Sequence, residues 1–240
     1  MKKTKKIQDI ENLVIANHIL SNKKILDAFG HISIRNSEDK NYFFLSKRIA
    51  PDLVNYEDIF EFNLDSELRN QNRVHNIPLF IERFIHGSIY KQRPEVNAVI
   101  HSHSASTIPF GAKGISLKPI SHMCGFLYPN TPIFDIRKFN KESDMLVRDA
   151  YLGENLAKIS GNAAVTLMRG HGCVVVADNL INAVYRSIYT ELNAQLVLKS
   201  YFLPGKTKYL SGIEARNADK VNQSVVMKAW NSWLDDIQKD

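Results

Sequence analysis

Apolar residues recur along this chain in two rhythms, one helical and one extended, and the rhythms take turns. Ile7, Ile10, Leu13, Val14 and Ala16 or His18 keep a helical spacing, which predicts an amphipathic helical region over 7–29 with a break near Ser21-Asn22 and a second segment reaching Ala28. Ile32 and Ile34 alternate with Ser33 and Arg35, a strand signature that reads as an edge strand entered through Gly30, a helix-stopping glycine. Residues 42–48 form a second strand ending in a charged turn, and Phe60, Phe62 and Leu64 alternate in a third over 58–65, with a polar turn or hairpin loop over 65–72. Phe80, Phe84, Ile85 and Ile89 give a helix face over 80–92, ended by Pro94. From Val96 to Ile100 the apolar residues crowd as in a buried strand.

The second half continues the alternation. A helix begins within 104–114, limited by Pro109, and Thr131–Ile136 reads as a strand. Met145, Leu146, Leu152, Leu156 and Ile159 predict a helix from Asp144 to Ser160, stopped by Gly161. Ala163–Met168 and Cys173–Ala177 are apolar runs around a tight glycine turn. Val184, Ile188, Leu192, Leu196 and Val197 mark a long helix over 180–201, with Tyr185 and Tyr189 on an adjoining face for core or subunit packing. Beyond Pro204-Gly205 a polar tail over 205–240 carries a last helix around Val225–Ile237, where Trp230 and Trp233 share a face and read as a docking or interface stripe. Strands and helices mixed in this way define an α/β chain.

Length fits one domain over residues 1–240 with a substantial core. The net charge of +6 suits solubility and attraction to anionic substrates, and no nucleic-acid motif accompanies it. The lysines at the start read as a solvated, frayed end; acids interrupt the next stretch, so no signal-peptide core follows. No run is long and apolar enough to span a membrane. Cys124 and Cys173 lie far apart with no Cys-x-x-Cys motif, the pattern of reduced thiols, and a cytoplasmic location is expected.

Candidate chemistry gathers around one stretch. In a strand, side chains two apart share a face, so His101 and His103 point the same way at the end of the buried run. Two imidazoles on one face can hold one metal ion. Glu82 lies in the first turn of the preceding helix, and a helix, a turn and a strand can return it to the pair. His171, flanked by Gly170 and Gly172, is the best third ligand. The plain alternative for His-x-His is a pair of hydrogen-bonded histidines. His31, Lys47 and Arg48 stand at turns and strand ends, and His122 sits in a Pro-Ile-Ser-His stretch; satisfied structural or solvated positions are the alternatives for each.

Glu-Arg-Phe-Ile-His, then Val-Asn-Ala-Val-Ile-His-Ser-His, then Arg-Gly-His-Gly together resemble the class II aldolase/adducin family over about residues 10–200. The resemblance implies a three-layer fold with a central, mainly antiparallel sheet flanked by helices. It implies a divalent metal held by His101, His103 and His171, zinc first, with Mn, Mg, Co or Fe as alternatives. It implies Glu82 as the catalytic acid/base, and a homotetramer with active sites near subunit interfaces. The sugar-phosphate aldolases of the family carry Gly-Asn-x-Ser, a Thr- or Ser-Gly pair and a Ser pair at their phosphate site. Here those positions are occupied by His31, by Ser46-Lys47 and by Phe80-Ile81. These departures point to an unsaturated or aromatic carboxylate substrate, which Arg48 could grip through paired hydrogen bonds. Gly-His-Ile-Ser-Ile-Arg and Leu-Ser-Lys-Arg-Ile-Ala-Pro are similar to the family's decarboxylases of aromatic breakdown, acting on 2-hydroxy-3-carboxymuconate semialdehyde or dihydroxyphthalate.

The expected function is therefore a metal-dependent carbon–carbon lyase, decarboxylating a small hydroxy or oxo carboxylate through a metal-stabilised enolate that Glu82 protonates. For that donation burial should raise the Glu82 pKa toward neutrality. A sugar-phosphate aldolase, a three-histidine non-haem iron oxygenase of the same fold and a non-catalytic adducin-like module are the alternatives. No nucleic acid or membrane partner is expected.

Overall fold

The computed structural model describes residues 4–69 and 76–239. A seven-stranded sheet forms its middle layer. The strands are β1 (His31–Arg35), β2 (Tyr42–Ser46), β3 (Ile59–Asn63), β4 (Ala98–Ser102), β5 (Ile133–Phe134), β6 (Val165–Met168) and β7 (Gly172–Ala177). Their order is β3-β2-β1-β4-β7-β6-β5. Every neighbouring pair is antiparallel except β5 with β6. The helices are α1 (Lys5–Asn22), α2 (Arg83–Gln92), α3 (Ile108–Lys113), α4 (Ala150–Ser160), α5 (Leu180–Ser200) and α6 (Gly212–Lys239).

Period-two geometry sorts the strand residues into two cores. Ile32, Ile34, Phe44, Ala98, Ile100, Leu167 and Val175 face α1, α5 and α6, packing with Leu13, Val184 and Trp230. Phe43, Leu45, Val99, Met168, Val174 and Val176 face the opposite way, onto Ile85 and Ile89 of α2 and Leu152 and Leu156 of α4. Helices on both sides of a mainly antiparallel sheet make the three-layer α/β fold expected above. Because β4, β6 and β7 are buried on both faces, their runs lose the polar alternation of a half-exposed strand; β1 is buried on both faces too but keeps it, with Ser33 and Arg35 bonded inside the fold.

Several local expectations are corrected. Residues 23–29 form turns, not a second helical segment, and Gly30 enters β1 directly. β1 is not an edge strand; it lies between β2 and β4. Its Arg35 is buried and donates to the carbonyls of Lys40, Tyr90, Arg93 and Val96, which ties the strand to the end of α2. Pro109 lies in the first turn of α3, where its missing N–H costs nothing, so it starts that helix. β5 is only two residues long. α4 begins at Ala150 because the Asp149 carboxylate accepts from Leu152 N–H and caps it; Met145 before it has φ +78°.

α6 starts at Gly212, well before the predicted 225, and Trp230 and Trp233 are buried in the chain's own core, with Trp233 6.4 Å from Tyr189 of α5. Lys6 belongs to α1 and pairs with Glu61 at 3.0 Å instead of fraying. Positions 70–72 of the predicted polar loop lie outside the described residues. Cys124 and Cys173 are free and buried. Among the described residues no helix is long and apolar enough to cross a membrane.

Candidate metal centre

Three parts of the chain meet beside the end of β4. His101 is paired across the sheet with His31 on one side and Val174 on the other. His103 follows two residues later, just beyond the strand. His171 arrives from the turn between β6 and β7, where Gly170 has φ +67° and Gly172 φ +152°. A Cβ on Gly172 would lie 2.0 Å from the Ser102 carbonyl oxygen and 3.0 Å from the His103 Cα. Only glycine lets this turn press against the end of β4, where the other two histidines stand.

Glu82 stands at the N-cap position of α2 with its side chain turned away from the helix amides, and it is buried. Its Oε1 accepts from Val147 N–H at 3.0 Å. Its Oε2 lies 3.5 Å from His101 Nε2 and 3.6 Å from His171 Nε2. The three imidazole centroids are 4.9 to 5.1 Å apart. One ligand atom from each of Glu82, His101, His103 and His171 lies within 4.8 Å of the others.

Hydrogen bonds from outside the cluster set the ring nitrogens. His101 Nδ1 lies 3.2 Å from the Cys173 carbonyl, which can only accept, so Nδ1 carries the proton and Nε2 presents its lone pair. His103 Nδ1 lies 3.0 Å from the Asp27 carboxylate, and the same reasoning frees its Nε2. Metal-binding histidines are commonly held in this way by a carbonyl or a carboxylate. His101 Nε2 and His171 Nδ1 are buried with no hydrogen-bond partner among the described residues. The unpartnered His101 Nε2 and the Nε2 of His171 both face the Glu82 carboxylate; nitrogens converging on a carboxylate in this way fit a divalent ion, and such a donor set suits zinc-like first-row metals.

Burial, reinforced by the neighbouring His101, pulls the His171 pKa down to about 4, so its imidazole is neutral and ready to coordinate. Burial also raises the Glu82 carboxyl, but its attraction to His101 and His171 and its hydrogen bonds outweigh that and bring it to about 2. This reverses the expectation of an elevated Glu82: its resting form is the carboxylate. Asp27 follows the same pattern, with burial outweighed by His103 and by the Phe29 and Gly30 amides.

The structure brings two more of the predicted residues to this place. The His31 ring lies 5.1 Å from His101 and 4.5 Å from Phe80, so Phe80 and His31 form one wall beside the cluster. Ser46 is buried at the end of β2. Lys47 is committed elsewhere, to Asp58 at 2.7 Å. Arg48 is exposed, with its main-chain N–H on the Pro78 carbonyl, and has no ion-pair partner among the described residues. His122 is exposed on a 3-10 turn (His122–Leu127) that packs on α6, where its carbonyl accepts from Asn222; it makes no contact with the cluster among the described residues.

Sequence reasoning missed Asp27, Val147 and the group behind His31. His86 is fully buried, with Nε2 2.6 Å from His31 Nδ1 and Nδ1 2.6 Å from Ser33 Oγ, which lies 2.8 Å from Tyr90 Oη. The available signal was spacing: His86 is four residues after Glu82 and Tyr90 four more, one helix face turned to the sheet. Burial, reinforced by His101, holds the His86 imidazole neutral, its pKa pulled down to about 3.

A three-layer α/β fold with a carboxylate and three imidazoles at one end of its sheet defines the class. Residues 11–198 match the Class II Aldolase and Adducin N-terminal domain, and the chain belongs to that family. Decarboxylase tropJ of Talaromyces stipitatus is 34% identical over 252 residues, covering 95% of this chain and 94% of that protein. The 3,4-dihydroxyphthalate decarboxylase of Arthrobacter keyseri is 26% identical over 209 residues, covering 83% and 82%. The solved L-fuculose 1-phosphate aldolase from Glaciozyma antarctica shares the fold with a TM-score of 0.76 at 21% identity, covering 100% of this chain and 93% of that one.

Proposed function

We propose that this lyase decarboxylates a small unsaturated or aromatic hydroxy or oxo carboxylate. One observation carries the reading. The wall beside the cluster is an aromatic and an imidazole ring, Phe80 on His31 at 4.5 Å, at positions where the resembling aldolases bind phosphate. A flat conjugated acid stacks on such a wall. The relatives named as decarboxylases support it, and the tie of Lys47 to Asp58 removes one cation that a phosphate would use.

His101, His103 and His171 would hold the ion, with zinc the first choice for this donor set. When bound, it supplies Lewis-acid stabilisation of the negative charge left on the substrate as carbon dioxide departs. Glu82 manages the proton. As a carboxylate it takes the substrate hydroxyl proton at Oε2 and hands it to the carbon that bears the leaving carboxylate, which turns the hydroxyl-bearing carbon into a carbonyl and Glu82 back into a carboxylate. The carbon–carbon bond then breaks, carbon dioxide leaves, and the electron pair moves onto that carbonyl as an enolate. Val147 N–H, fixed on Oε1, keeps Oε2 as the working oxygen. Arg48 is the remaining candidate for gripping a carboxylate.

Product analysis with carboxylated muconate semialdehydes, hydroxyphthalates and sugar phosphates tests the reading. Carbon dioxide release from the first two classes alone supports it; cleavage of a sugar phosphate alone would replace it with an aldolase. We also propose a homotetramer, since closed symmetric assemblies are the general expectation. Light scattering at micromolar concentration should give four times the chain mass, and a monomer mass would reject it.

A further inference from the structure

The hydrogen-bond chain behind His31 has a direction, and the direction decides what His31 shows to the metal centre. A neutral imidazole has one N–H and one lone pair, so each link constrains the next. In one polarity Tyr90 donates to Ser33, Ser33 to His86 Nδ1, and His86 Nε2 to His31 Nδ1. Every proton from Tyr90 to His31 Nδ1 is then used, and the one left over, on His31 Nε2, is not among the fully enclosed ones. In the other polarity His31 donates inward, His86 donates to Ser33, and Ser33 donates to Tyr90. The Tyr90 hydroxyl proton then has no acceptor: its oxygen meets Ser33, which would be donating to it, and the Val99 main-chain N–H, which can only donate. Tyr90 is 1% exposed and Ser33 0%. A buried O–H donor without an acceptor is costly and rare, whereas an unused oxygen lone pair costs less. The first polarity wins.

It leaves the proton of His31 on Nε2. His31 is 2% exposed; its Nε2 has no hydrogen-bond partner among the described residues and is not among the fully buried polar atoms that lack one. The ring it belongs to lies against His101 and Phe80.

We propose that the buried Tyr90–Ser33–His86 chain fixes His31 as its Nε2–H tautomer, making it a neutral hydrogen-bond donor to a substrate carboxylate at the metal centre. His86 is the positioning residue. Neutrality matters for the reaction inferred above, on which the carboxylate half of this inference rests. A cation on the departing carboxylate would favour the ground state, in which the charge resides there, over the transition state, in which it has moved away. A neutral N–H orients the group with less of that penalty. His86 is held in turn: Arg35 donates to the Tyr90 carbonyl and lies over the Tyr90 ring at 4.7 Å, which fixes the end of the chain.

The test is nitrogen-15 NMR of the zinc-loaded protein labelled at histidine. In the unmodified chain His31 should show a protonated Nε2 and an unprotonated, hydrogen-bonded Nδ1. A protonated Nδ1 overturns the proposal, whatever reaction the protein proves to catalyse. In His86→Phe the freed ring should show two tautomers in exchange at unchanged zinc content; a single, unshifted tautomer there would remove His86 from its role. Titration of 2-hydroxybenzoate into the unmodified, zinc-loaded protein should shift the His31 Nε2–H signal. No shift up to millimolar ligand overturns the carboxylate half and leaves the tautomer standing. His31→Leu should weaken 2-hydroxybenzoate binding by roughly 10–100-fold, the worth of one hydrogen bond to a charged group, and His31→Gln, which can still offer an N–H, should recover most of it.

Discussion

Two carboxylates meet the histidine cluster, and their surroundings give them different work. Asp27 stands behind His103, outside the ring of ligand atoms, and accepts its Nδ1 proton. Asp27→Asn should therefore weaken metal binding by roughly 10–100-fold while leaving the ligands in place, measured by competition with a chelator. Glu82 stands inside, within 3.6 Å of two imidazoles. Glu82→Gln keeps the shape of the side chain; metal content should stay near normal while turnover falls by roughly 10²–10⁴-fold. Lost metal would make Glu82 a ligand, and normal turnover would end its acid/base assignment. These two residues were not equally readable. Glu82 sits one helix and one turn before the His pair, in a pattern that period and family resemblance both expose. Asp27 lies among Ile25, Leu26 and Ala28, whose apolar rhythm imitates a helix although the backbone there only turns. Its partner His103 is far along the chain, and no local pattern records that meeting.

At the scale of elements, the centre depends on how closely the β6–β7 turn approaches β4. Gly172→Ala places a methyl 2.0 Å from the Ser102 carbonyl oxygen and forces a strained backbone. A loss of at least about 1–3 kcal/mol in stability is expected, with His171 displaced and metal occupancy reduced, readable by denaturation and metal analysis. The strands themselves were legible because period-two runs are short and bounded by turns. Their neighbours were not. The alternation of β1 reads as an edge strand, but β2 and β4 pair with it on both sides and its polar Arg35 is buried against the end of α2. Helical spacing likewise shows that Trp230 and Trp233 share a face but not what covers it. Here the cover is the chain's own core, including Tyr189 of α5.

For the whole molecule, neutral buried histidines make stability depend on pH. His86 falls from 6.5 to about 3 and His171 from 6.5 to about 4 on folding. Below pH 6.5 the unfolded chain binds protons that the folded chain refuses. The stabilisation is fully present above that value and is lost as pH falls toward the folded values. Metal-free protein should melt at a clearly lower temperature near pH 5 than near pH 7.5, and His86→Phe should show a shallower slope between them. An unchanged melting temperature would mean that these imidazoles already carry protons in the fold.

The histidines that could hold an ion come from segments far apart in the chain: the end of β4 and the β6–β7 turn, with Asp27 from before β1 braced against one of them. An ion bound there is a removable staple across the chain's length. Free ion at a thousand times its dissociation constant would add about 4 kcal/mol, a large share of the 5–15 kcal/mol that holds ordinary domains folded. Lifetime, and not only turnover, then follows metal supply. Withdrawing the ion would then lower the protein's resistance to unfolding, and with it to proteolysis, as well as its turnover.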